Sequence, residues 1–132
     1  MDDPELAKQF PELKDVAARV KANAAKEAGN RAFAAKDFEE AIRQFTEAIQ
    51  CSPSAVFYSN RAAAHFAMKR YRQSAEDAKQ VIILDKSWAK GWSRLGAALS
   101  SMEEWSEVRI GSSRFAAQTF TSYMFFLERH AP

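Results

Sequence analysis

Glycine and proline are scarce in this 132-residue chain, with four of each, and cysteine occurs once. So few helix breakers in an alanine-rich composition make helix the default, and no stretch alternates apolar and polar residues as a half-buried strand would. The lone Cys51 excludes an internal disulfide and fits a reducing compartment. No apolar run approaches the length of a membrane span. The opening Met1-Asp2-Asp3-Pro4-Glu5 is acidic and leads into no apolar run, unlike a secretory signal or a transit peptide. A cytoplasmic protein is expected, with nuclear access left open. Excess charge is lacking too: 19 Lys and Arg against 17 Asp and Glu leave a net +2, too little to argue for nucleic acid or a membrane surface. The residue clusters of an enzyme are also missing. His65 and His130 fall on different segments, no cysteine or carboxylate cluster has metal-ligand spacing, and there is no glycine-rich phosphate loop or nucleophile elbow. The expectation is therefore no enzyme, no metal and no cofactor, with His65 a packed histidine on a core-facing position.

What the chain does have is a repeat. Aligned on small residues, Gly29, Ala62 and Gly96 stand 33 and then 34 residues apart, and the same offset carries Phe38 onto Tyr71 and Trp105, and Ala48 onto Val81. A period near 34 in a helix-forming composition resembles that of helix-turn-helix solenoids of the tetratricopeptide type. One such unit cannot bury its apolar face alone, so stacked units share a continuous core. Their first helices then line a concave groove, where function is expected. The expected fold is all-α: a right-handed α-solenoid of three helix-turn-helix repeats, with an N-terminal helical extension and a divergent C-terminal helix.

Three segments follow. Residues 1–21 form the extension: Asp3 and Pro4 suit a helix start, and Leu6, Phe10, Leu13, Val16 and Val20 recur at helical spacing. Pro11 makes this two short helices or one kinked helix, read as a cap over the first repeat. Residues 22–107 form the repeat domain, divided 22–54, 55–88 and an incomplete 89–107. Helices are expected over about 22–36, 38–51, 55–69, 71–84 and 88–102. Inward stripes are Ala41, Ile42, Phe45, Ala48 and Ile49, then Ala75, Ala78, Val81 and Ile82, then Leu95, Ala98, Leu99 and Met102. Phe45, Tyr71 and Trp105 read as core. Residues 108–132 leave the pattern: Gly111 and two serines weaken helix propensity, and Phe120, Tyr123, Met124, Phe125, Phe126 and Leu127 concentrate apolar surface. This segment is read first as a divergent helix docking in place of the missing one, and otherwise as a dimerisation patch or a poorly ordered tail.

Counting each repeat from Ala22, Ala55 and Ala89 places Lys26 fifth, Asn30 ninth, Asn60 sixth, Lys90 second and Arg94 sixth. Positions two, five, six and nine share one helix face, apart from the buried stripe. Two amides and three cations thus project from three parallel helices toward a common space. Such a set can hold a small anionic group.

These residues carry a resemblance. Gly29-Asn30-Arg31-Ala32-Phe33, Phe45-Thr46-Glu47-Ala48-Ile49, Tyr58-Ser59-Asn60-Arg61 and Ala89-Lys90-Gly91-Trp92-Ser93-Arg94 resemble the carboxylate-clamp tetratricopeptide domains of co-chaperones, most nearly the first repeat domain of the Hop stress-inducible co-chaperone. The likeness covers residues 22 to about 107. It implies an adaptor that binds the C-terminal Glu-Glu-Val-Asp (EEVD) tail of heat shock protein 70 or 90. Lys26, Asn30 and Asn60 would hold the terminal aspartate, and Lys90 and Arg94 the upstream backbone and acidic side chains. Phe33, Ala63 and Ala97 are secondary candidates, an apolar floor for the valine, with packing the simpler role for Phe33. Micromolar affinity that falls with salt is expected. A monomer is expected, with no nucleic acid and no membrane as partner. The alternatives are a scaffold for another peptide and a dimer formed through residues 120–127.

Overall fold

A computed structural model describes residues 4–110. They form six helices: α1 (Pro4–Gln9), α2 (Pro11–Ala34), α3 (Phe38–Cys51), α4 (Ala55–Ala67), α5 (Tyr71–Leu84) and α6 (Ala89–Ile110). The fold is the all-α solenoid that the period predicts. Helix pairs α2–α3 and α4–α5 are two complete repeats, and α6 is the first helix of a third.

The turns show why the chain folds in these units. Between α2 and α3 and between α4 and α5, Lys36 (φ 63°) and Lys69 (φ 60°) take the left-handed conformation at equivalent positions. There the Asp37 N–H bonds the Ala32 carbonyl and the Arg70 N–H bonds the His65 carbonyl, at 2.8 Å each, satisfying carbonyls that the helix ends leave free. The Asp37 side chain caps α3 by accepting from the Glu40 N–H, and Ser54 caps α4 by accepting from the Val56 N–H. The aromatic pairs flanking these turns repeat as well. Phe33 meets Phe38 edge-to-face at 5.2 Å, and Phe66 meets Tyr71 in the same way at 5.2 Å.

Alanine supplies most of the buried hydrophobic positions, and helices separated only by small side chains pack closely. Ala22 and Ala25 of α2 meet Ala48 and Ile49 of α3 and Phe57 of α4; Ala41 and Phe45 meet Ala64; Ala75 and Ala78 of α5 meet Trp92, Leu95 and Ala98 of α6. Gly29 marks the closest approach. A Cβ there would stand 2.5 Å from the Phe45 ring, so the ring of one helix fills the notch in the other. The expected stripes hold with Ile42, Ile82 and Leu99 packed at their margins, except that Met102 is only half-buried and joins no core cluster among the described residues. Trp92, 7% exposed, joins them, its indole N–H donating to the Lys86 carbonyl at 3.0 Å.

Two boundaries differ from expectation. The first groove helix does not start at residue 22. Pro11 takes the first position of α2, where its missing N–H costs nothing, and the helix runs unbroken from the extension into the repeat. Nor does the extension cap the core: Leu6, Phe10, Leu13, Val16 and Val20 are 45–64% exposed, and burial begins at Ala22. At the other end, α6 runs past the expected helix end at Met102 and continues to Ile110. Where the earlier repeats have Lys36 and Lys69 in the turn, the third has Glu103 followed by Glu104, both strong helix formers. The structure describes residues 104–110 as helix without their side chains, so the core placement of Trp105 lies outside what is described, as does the docking of residues 115–129.

Candidate peptide-binding groove

The first helices of the repeats, α2, α4 and α6, lie side by side, α4 touching both neighbours. They carry the five residues singled out by register. The α2–α4 boundary is bridged directly, the Asn60 side-chain Nδ2 donating to the Asn30 side-chain Oδ1 at 3.4 Å. The α4–α6 boundary is bridged by Arg94, whose Nε donates to the Ser59 hydroxyl at 2.8 Å. Through adjacent residues, α4 is thus bonded to α2 by Asn60 and to α6 by Ser59. Lys26 and Lys90 sit one turn before Asn30 and Arg94 on the same helix faces, and neither bonds the other three. The half-buried Lys26 has its Nζ 3.5 Å from Glu27, a weak surface pair. Lys90 is exposed, its Nζ 5.6 Å from the centroid of the Trp88 ring.

The secondary candidates divide. Phe33 is engaged with Phe38 at the α2–α3 turn, which makes it a packing residue. Ala63 is half-buried on α4 and Ala97 exposed on α6, both small enough to leave an apolar floor open.

The electrostatics turn on two half-buried arginines. Arg61 is neutralised: its Nε and Nη2 donate to the two oxygens of buried Asp77 at 2.8 and 2.7 Å, its Nη1 donates to the Thr46 hydroxyl at 3.1 Å, and its guanidinium lies 5.5 Å from the Tyr58 ring centroid. The bonds to Asp77 raise the Arg61 pKa despite burial. His65 stands beside the pair, its Nε2 3.7 Å from Asp77, and burial lowers its pKa more than Asp77 raises it. It is packed, as its core-facing position implies. Arg94 has no such acid. Burial alone lowers its pKa, and among the described residues its one polar partner is the neutral Ser59. A guanidinium stays protonated regardless, so Arg94 holds a partly desolvated positive charge that meets no counterion among the described residues.

Register also explains what the pattern left unread. Ser59 lies 33 residues after Lys26, at the same repeat position on the groove face, yet a serine carries neither the charge nor the amide that marks the other groove residues. Arg61 and Asp77 sit on consecutive helices with nothing in their spacing to pair them.

The groove is open. Two hollows among the described residues, of about 450 and 480 Å³, lie by Ile42 and Thr46 and by Pro53 and Trp88, and none of the eight candidate groove residues lines either. An extended chain suits such a surface better than a compact small molecule does. Among the described residues no helix is long and apolar enough to cross a membrane, and no group of three or more His, Cys, Asp or Glu could hold a metal ion.

No protein-family model matches the chain. It is 44% identical over 47 residues to the heat shock protein STI1 of Saccharomyces cerevisiae, covering 36% of this chain and 8% of that protein. It spans only 7–15% of the length of the curated relatives it matches. Among solved structures it is similar to the Sgt2 TPR domain from Aspergillus fumigatus, at 30% identity and a TM-score of 0.60, covering 81% of this chain and 79% of that one. It is also similar to the second TPR of Spaghetti (RPAP3) bound to the HSP90 peptide SRMEEVD, at 27% identity and a TM-score of 0.65, covering 84% of this chain and 95% of that one.

Proposed function

The chain belongs to the tetratricopeptide-repeat family, and we propose that it is a co-chaperone adaptor module whose groove binds the C-terminal EEVD tail of heat shock protein 70 or 90. The observation that carries this reading is Arg94, a half-buried cation whose one polar partner among the described residues is the neutral Ser59. A buried charge is costly until an opposite charge meets it, and a peptide carboxylate supplies one.

Lys26, Asn30 and Asn60 hold the terminal residue. The two amides already touch, so a carboxylate entering between α2 and α4 finds the Asn60 N–H₂ oriented and the Lys26 ammonium one turn away. Lys90 and Arg94 hold acidic side chains upstream. Ala63 and Ala97 leave room for the valine. Binding of this kind needs no chemistry from the protein, and an adaptor rather than an enzyme is the corresponding role. The resemblance of the five positions to the clamp motif and the likeness to a domain solved with an EEVD peptide support the assignment.

Calorimetric titration with a peptide ending in Glu-Glu-Val-Asp tests it. Free-acid peptide should bind with a Kd on the order of micromolar, and amidation of its C-terminus should abolish binding. Equal binding of both forms, or none by the folded protein, overturns the reading.

A further inference from the structure

We infer that Ser59 is a positioning residue for this groove: its hydroxyl takes the Nε–H of Arg94 and turns the guanidinium so that both terminal nitrogens face an incoming carboxylate. This rests on the peptide-binding reading above and adds to it a determinant of specificity.

A guanidinium offers two bidentate edges, one formed by Nε with a terminal nitrogen and one by the two terminal nitrogens. At Arg61 the first edge is consumed by Asp77, and with it the charge. At Arg94 the Nε–H is spent on a hydroxyl, which fixes orientation without neutralising anything. The end-on edge, with no partner among the described residues, keeps the full positive charge. Ser59 is suited to this work because it cannot move. It is fully buried in α4, immediately before Asn60, so the residue that aims Arg94 shares a rigid helix with the residue that bridges to Asn30. Its repeat position, shared with Lys26 in α2, keeps it on the groove side.

The consequence is selectivity between near-isosteric groups. Two parallel N–H donors match the two oxygens of a carboxylate, whereas a side-chain amide presents one acceptor and turns its own N–H₂ group against the second donor. The peptide residue that reaches Arg94 should therefore be Glu or Asp, and Gln should be rejected.

The test pairs the full chain and its Ser59→Ala, Arg94→Ala, Arg94→Lys and Ser59→Ala/Arg94→Ala variants with the EEVD peptide and with peptides carrying Gln in place of one Glu. The wild type should favour Glu over Gln at one position by about tenfold. Ser59→Ala should cut that preference to about threefold or less while still requiring the free C-terminus. Arg94→Lys, which keeps the charge but not the fork, should lose the preference as well. In the Arg94→Ala background, Ser59→Ala should change nothing further. A nitrogen-15 spectrum of the peptide-free wild type should show the Arg94 Nε–H protected from solvent exchange, a signal that Ser59→Ala removes.

An unprotected Nε–H in the wild type overturns the proposal whether or not any variant folds. So does a Ser59→Ala protein that retains the preference, or one that weakens Glu and Gln peptides equally. Absence of peptide binding by the wild type overturns the binding reading itself, whereas binding with an unaltered preference in Ser59→Ala overturns this inference alone.

Discussion

Arg61 donates to both carboxylate oxygens of Asp77, at 2.7 and 2.8 Å, and this two-point pair ties α4 to α5 inside the second repeat. Asp77 is buried and Arg61 nearly so, with side chains 7% and 21% exposed. Removing one partner leaves the other charge without compensation in a poorly solvated site. Asp77→Asn should accordingly lower unfolding free energy by about 3 kcal/mol, read as a shift in the urea midpoint. Since neither residue faces the groove, any protein that remains folded should bind peptide as before.

Binding should depend on Arg94 more than on Lys90. The half-buried Arg94 is oriented before the ligand arrives, whereas the exposed Lys90 is screened by water. Arg94→Ala should weaken the EEVD peptide about tenfold or more, equivalent to roughly 1.4 kcal/mol, and Lys90→Ala should weaken it less. Raising salt from about 50 to about 500 mM should reduce wild-type affinity, and should reduce that of the double variant less. Titration calorimetry at two ionic strengths checks both.

Acid should loosen the second repeat. Burial, reinforced by Arg61 and Arg70, holds the His65 pKa below its unfolded value of 6.5, against the opposing pull of Asp77 and Glu39. Below that pH the unfolded chain binds a proton that the folded chain resists, so stability is complete above 6.5 and falls as pH drops toward the lowered folded value. The urea midpoint should therefore decrease from about pH 7.5 to about pH 5.5. His65→Gln should flatten part of that decrease. A midpoint equally steep in the variant would assign the effect to other groups.

Filling the notch at Gly29 should cost stability even though alanine is the better helix former. A Cβ would meet the buried Phe45 ring at 2.5 Å, and the ring, 1% exposed, has nowhere to turn. Overpacking of about 1–3 kcal/mol outweighs a propensity gain of about 1 kcal/mol. Gly29→Ala should unfold at lower urea, and Gly29→Ala with Phe45→Leu should recover part of the loss.

The two complete repeats were legible because each carries its own punctuation. Gly29 and Ala62 give the offset, Lys36-Asp37 and Lys69-Arg70 the turns, and Pro53 the join. The ends were not, since the same residue serves opposite purposes. Pro11 reads as an interruption of the apolar run, yet in the structure it begins a longer helix. Leu13 and Val16 have core spacing but stand 45% and 47% exposed, outside the core that the described helices form. The groove residues could be found because register converts sequence distance into a common face. Their mutual bonds could not: Asn30 to Asn60 and Ser59 to Arg94 depend on how neighbouring repeats are offset, which no single helix encodes.

The continuity of α2 makes the first wall of the groove a lever. At 24 residues it is a rod of about 36 Å, and the segment bearing Leu13 and Val16 joins Lys26 and Asn30 through one unbroken hydrogen-bond ladder. No hinge separates the two ends. The outer arm and the α2 side of the Asn30–Asn60 bridge therefore belong to one rigid element.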